Sequence, residues 1–89
     1  MLKKYVNVEV SMIVSENGDV YIGQQVNEQK QGLGSMYYVN GNVYTGNWFN
    51  DIREGCGVFI ENTGTQFVGK WHNNKLHWHK NQIHFRIQS

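Results

Sequence analysis

The sequence predicts an all-β protein, an elongated, single-layer antiparallel meander of consecutive β-hairpins. Three observations carry that expectation. The 89 residues hold ten glycines, no proline and an aromatic fraction of 13%, a load that suits short strands and tight turns better than helices. Glycines and aromatic residues recur at a fixed spacing of 23 residues, the mark of a repeat architecture. Within each unit, large and small side chains alternate with the two-residue period of a strand.

The repeat sets the boundaries. Residues 21–43 and 44–66 are two full units, and residues 67–85 are a degenerate third. An aromatic opens each unit at Tyr21, Tyr44 and Phe67, and a glycine follows two residues later at Gly23, Gly46 and Gly69. A G-x-G pair stands at Gly32/Gly34 and Gly55/Gly57, and Trp48 and Trp71 share one column. Residues 9–20 match the second half of a unit, with Glu9 and Ser11 in the G-x-G columns. In the third unit Trp78 and Lys80 replace the pair. Atypical terminal units are expected where a stack must stop. Residues 1–89 are therefore read as one repeat domain.

Each unit divides into two strands. Tyr21–Gln25 suits the first, and Gly32–Val39 the second. The polar stretch Val26–Gln31 between them is expected to be a connecting loop. Asn17-Gly18, Asn40-Gly41 and Thr63-Gly64 are tight-turn signals, because glycine adopts positive φ without strain. Side-chain alternation puts Tyr44, Gly46 and Trp48 on one face, and Gly55, Gly57 and Phe59 on one face of the partner strand. A glycine beside a large ring removes the Cβ that would hold the ring off the backbone, so the rings are expected to lie over glycine notches. The opposite face carries a mixed set, Ile22, Leu33, Tyr37 and Cys56 among them. A single sheet covers only one of its sides, so exposed apolar area is expected there.

The formal net charge of +1 is too close to zero to indicate a nucleic-acid partner. Its distribution is uneven. Residues 1–61 carry four basic and seven acidic side chains, a net of −3, whereas residues 62–89 carry Lys70, Lys75, Lys80 and Arg86 with no acid, a net of +4. Cys56 is the single cysteine, which fits a reducing setting, and an intracellular, cytoplasmic location is expected. The N-terminal stretch does not read as a signal peptide, since Asn7, Glu9 and Ser11 interrupt its apolar residues.

With these residues in view, the pattern resembles the MORN repeat family (membrane occupation and recognition nexus). The likeness spans about residues 9–85, and Tyr44-Thr45-Gly46-Asn47-Trp48 with Gly55-Cys56-Gly57-Val58-Phe59 carries it most fully. The first unit departs at Gln25, where the family favours tryptophan. The resemblance implies an elongated twisted sheet of hairpins and a scaffolding role in cytoskeletal, ciliary or membrane-associated assemblies. It supplies no shared catalytic residues.

The candidate sites follow. The face bearing Tyr21, Tyr44, Trp48, Phe59, Phe67 and Trp71 is expected to be both the stabilising ladder and a docking face for an apolar or helical protein segment. Lys70, Lys75, Lys80 and Arg86 form a basic end that suits an anionic membrane surface. His77 and His79, two residues apart, are the nearest approach to a metal site. Without acidic or cysteine ligands beside them they are read as surface histidines, and neither a metal nor another cofactor is expected. Cys56 has no histidine in its own repeat to activate it. The expected function is thus a non-catalytic interaction and scaffold module. The alternatives are peripheral binding of anionic phospholipid and service as an accessory segment of a larger enzyme. A homodimer is plausible on the open edges and apolar face.

Overall fold

The computed structural model describes residues 9–78 and 82–84, which form strands joined by short turns. Strands β1 (Glu9–Val14), β2 (Val20–Val26), β3 (Gln29–Tyr37), β4 (Val43–Phe49), β5 (Ile52–Ile60), β6 (Thr65–His72) and β7 (Lys75–Trp78) run in that order through one antiparallel sheet. A short β8 (Gln82–His84) shares the outer edge of β6 with β7, pairing Thr65–Phe67 while β7 pairs Lys70–His72. The extents of 53 × 31 × 24 Å are those of an elongated body. The expected all-β hairpin meander is therefore the fold.

Two kinds of tight turn alternate along the chain. At one rim, Gly18, Gly41 and Gly64 have φ near 100°, and their N–H groups donate to Ser15, Tyr38 and Glu61 respectively at 2.8–3.0 Å. This is the three-residue hairpin in which glycine closes the turn in the left-handed region. At the other rim the expected loop Val26–Gln31 shrinks to two residues. Asn27-Glu28, Asn50-Asp51 and Asn73-Asn74 all hold positive φ, between 50° and 69°, the geometry of a two-residue turn that continues the strand twist. Asparagine tolerates that region better than most residues, and it stands first in each turn.

Neighbouring units are fastened at both rims. Lys30 N–H donates to Asp51 Oδ1 at 2.8 Å, and Asp51 N–H returns a bond to the Lys30 carbonyl at 3.0 Å. One unit further on, Arg53 and Asn74 repeat the exchange at 2.9 and 3.1 Å. At the opposite rim, Asp19 Oδ1 accepts from Val39 N–H and Asn42 Oδ1 from Asn62 N–H, each at 2.9 Å. Each side chain satisfies a backbone donor of an adjacent hairpin that the ladder leaves open.

The two glycines of each G-x-G have different roles. Gly32 and Gly55 have φ of 88° and 102° and lie where the register of β2–β3 and of β4–β5 shifts. They are bulge residues, and a Cβ on Gly55 would meet Asn47 rather than a ring. Gly34 and Gly57 are the notches, where a Cβ would run into Tyr21 and Tyr44. In the third unit the bulge column holds Trp78, which resists positive φ. The β6–β7 register still shifts in the corresponding interval, between Lys70 and Trp71, but by one residue rather than two.

Candidate interaction surfaces

The buried core is a ladder of rings. Tyr21 and Tyr44 have no exposed surface, and Met36, Trp48 and Trp71 are buried beside them. Tyr44 lies over Gly46 and Gly57, with its hydroxyl against the backbone of both. Trp48 stands edge-on between Tyr21 and Tyr44 at 5.4 and 5.1 Å, and Trp71 edge-on to Tyr44 at 5.4 Å. The chain Tyr21–Trp48–Tyr44–Trp71 is thus a continuous run of T-shaped pairs, the arrangement ring quadrupoles favour.

The polar atoms of the rings serve the irregular backbone beneath them. Tyr44 Oη donates to the Asn47 carbonyl at 3.0 Å, and Tyr21 Oη to the Gln24 carbonyl. Both carbonyls belong to residues at the register shift, where a ladder bond is missing. Trp48 Nε1 donates to the Gly34 carbonyl and Trp71 Nε1 to that of Gly57, each at 3.0 Å. The ring that needs a notch and the ring that bonds the notch glycine come from successive units, so each repeat completes its neighbour.

Burial pushes the hydroxyls of Tyr21 and Tyr44 up to about 12, with Asp51 adding to the effect at Tyr21 and Arg53 opposing it at Tyr44. The unfolded chain ionises first, near pH 10. The stabilisation is therefore complete below pH 10 and is lost as pH rises from there towards 12, by about 1.4 kcal/mol per pH unit for each tyrosine. Melting followed by circular dichroism should fall steeply above pH 10, and Tyr44→Phe should reduce that slope.

Lys30 and Arg53, one period apart, roof the ladder. Lys30 Nζ lies 5.7 Å from the Tyr21 ring and 5.8 Å from Trp48. Arg53 Cζ lies 5.1 Å from Trp71, 5.4 Å from Phe59 and 5.6 Å from Tyr44. The Asn74 carbonyl fixes the guanidinium by accepting from Nη2 at 2.8 Å. Leu76 fills the same column in the third unit and packs on the core. Sequence reasoning missed this roof, although the spacing of Lys30 and Arg53 was the signal. Arg53→Ala should destabilise the fold by about 1–2 kcal/mol, read from denaturant midpoints, and Arg53→Lys should recover less than half, since ammonium cannot stack as a plane.

Two roles are expected of the ring face from the sequence. It is the stabilising ladder; the rings themselves are little reachable. Tyr21, Tyr44, Trp48 and Trp71 are buried, and Phe59 and Phe67 are partly buried against them. The exposed apolar side chains stand on the opposite face. Val10, Met12, Val14, Ile22, Leu33 and Tyr37 are 45–72% exposed there. A groove of about 410 Å³ opens on this face between Leu33, Asn47, Cys56, Val58, Val68 and Lys70.

At the base-rich end, Lys70 and Lys75 are exposed. Lys80, Arg86 and His79 lie outside the described residues. His77 sits 6.1 Å from His72, ring to ring, but His72 Nδ1 is 2.7 Å from Glu54 Oε2. The Asn73 N–H and His72 together hold the Glu54 carboxyl below its usual range. Among the described residues no three metal-ligating side chains converge, and no helix is long and apolar enough to cross a membrane.

A single antiparallel sheet whose core is built from rings bridging successive hairpins defines a β-hairpin repeat protein. The MORN repeat family model matches three consecutive units, residues 21–43, 44–66 and 67–77, and the chain belongs to that family. Comparison with curated proteins gave no match. MORN repeats are a non-catalytic family and serve generally as modules for protein or membrane interaction.

Proposed function

We propose that this chain is a non-catalytic protein-interaction module, working as a scaffold within a cytoskeletal, ciliary or membrane-associated assembly, and that its interaction surface is the open apolar face. The supporting observation is the exposure of several large apolar side chains on one face, with Met12 at 64% and Leu33 at 60%, on a sheet whose other face is already filled. Isolated apolar residues at a surface are ordinary, but a contiguous patch of them marks an interface. A second reading, binding of anionic phospholipid, draws support from exposed Lys70 and Lys75 at the base-rich end.

The test compares the full chain with Leu33→Glu. On immobilised protein, extract from the native cell should yield partners that the wild type retains and the variant loses. Identical retention by both would remove the face from the account. Co-sedimentation with vesicles that requires anionic lipid and disappears in salt would favour the phospholipid reading instead.

A further inference from the structure

We infer that the open face is covered by a second copy of this chain, the two sheets stacked face to face with their arrays antiparallel. The inference rests on the interaction-module reading and names its partner. Three rows of side chains cross β1–β6, from the row of Val14 and Gln66 to the row of Val10 and Lys70. Lys70 is the single charged group in them. The polar side chains near the centre are already engaged. Ser35 Oγ and Thr45 Oγ1 bond each other at 2.7 Å, Gln24 Oε1 accepts from Leu33 N–H at 2.7 Å, and Asn47 Nδ2 donates to the Cys56 carbonyl at 3.1 Å. Covering such a surface strips little water from unsatisfied groups, so its apolar area counts almost in full.

The dimensions favour a sheet as the occupant. Six strands about 4.8 Å apart, crossed by three rows about 7 Å apart, make a face of roughly 600 Å² in projection. Two such faces cover about 1,200 Å² before side-chain relief is added, the lower bound of a specific interface. A helix, about 10–12 Å across, would cover little more than a third of the width. A second sheet of the same right-handed twist follows the whole face, as in two-layer sandwiches.

Charge and shape set the orientation. Among the described residues, 62–78 carry Lys70 and Lys75 with no acid, a net of +2, and 9–61 carry two basic and seven acidic side chains, a net of −5. A two-fold axis parallel to the strands reverses the array and lays the base-rich end of one copy on the acid-rich part of the other. Parallel stacking would lay the base-rich ends on each other. With that axis between β3 and β4, β2 of one copy crosses β5 of the second. Ile22, 45% exposed, then meets the groove beside Val58, and the same contact is made in reverse, as a two-fold interface requires.

The test is sedimentation equilibrium of the full chain from low to high micromolar concentration, with Ellman's reagent as a second probe. The wild type should pass from one copy to two, and the exposed Cys56 thiol should react severalfold more slowly in the dimer. Ile22→Lys and Leu33→Glu, on exposed positions, should keep the wild-type melting temperature of the monomer and weaken association at least tenfold. A wild type that stays monomeric at high micromolar concentration overturns the dimer, and so does assembly beyond two copies. Variants that dimerise like the wild type would place the contact on a sheet edge and overturn it equally. Retention of partners from extract by the monomer is decided separately, so loss of the dimer leaves the interaction-module reading to its own test.

Discussion

Gly46→Val is expected to unfold the array. A Cβ at this position would sit 2.5 Å from the Cys56 carbonyl oxygen, 2.5 Å from Gly57 Cα and 2.9 Å from Tyr44 Oη. The first two are backbone atoms of the neighbouring strand, and they can retreat only if the β4–β5 ladder opens. Overpacking a filled core typically costs about 1–3 kcal/mol, and more when the clash is with backbone. A small domain has a total stability of about 5–15 kcal/mol, and an elongated sheet stands at the low end. A loss of about 3 kcal/mol corresponds to a fall of roughly 12 °C or more in melting temperature. Gly57→Ala offers a smaller step on the same principle, since its methyl would enter the space of the Tyr44 ring, 2.5 Å from Cζ. Thr45→Val serves as the control. It adds no bulk and lies on the exposed face, so its effect should stay within about 0.5–1 kcal/mol. Thermal melts of the three variants decide the matter, and a Gly46→Val protein melting with the wild type would contradict the notch mechanism.

Trp48→Ala should have a comparable effect for a different reason. The indole is 5% exposed and links two repeats through edge-on contacts with Tyr21 and Tyr44. Deleting it leaves a cavity between rings that the rigid sheet cannot close, a loss of about 3–5 kcal/mol. Trp48→Phe separates packing from hydrogen bonding. It keeps most of the ring but strands the Gly34 carbonyl, which accepts from Nε1 at 3.0 Å, and should cost about 1–3 kcal/mol. Phe49, its neighbour in sequence, is 53% exposed, so Phe49→Ala should be nearly silent. Urea denaturation measures all three, and equal effects at Trp48 and Phe49 would remove the ladder from the account of stability.

Much of this was legible in the sequence because the repeat shows the same chemistry more than once. A glycine inside a strand weakens pairing unless something needs its missing Cβ, so Gly23 and Gly46 beside Tyr21 and Tyr44 pointed to the notch. The bulge was not legible. Gly32 and Gly34 look alike in sequence, and only the register, with two more residues on β3 than on β2, tells which of them bends the strand. Lys30 and Arg53 were hidden by their setting, a polar stretch that read as loop. In the structure that stretch is a two-residue turn followed by strand, which brings both cations back over the rings. The recurrence of asparagine at Asn27, Asn50 and Asn73 was the unread signal of the turn, through that residue's tolerance of positive φ. The two-sidedness of the sheet was read correctly in outline, but which face stays reachable depends on how completely long cationic side chains cover the rings, and pattern alone does not show that.

The array holds together because the rings of Tyr21 and Tyr44 lie directly on Gly34 and Gly57 of the adjacent strands. Proton NMR of the folded protein tests it without mutation. Ring currents from Tyr21 and Tyr44 should move the α-protons of Gly34 and Gly57 strongly upfield, with cross-relaxation between those protons and the Cε protons of the rings. Glycine α-protons at ordinary strand positions in the spectrum, with no cross-relaxation to either tyrosine, would contradict the account.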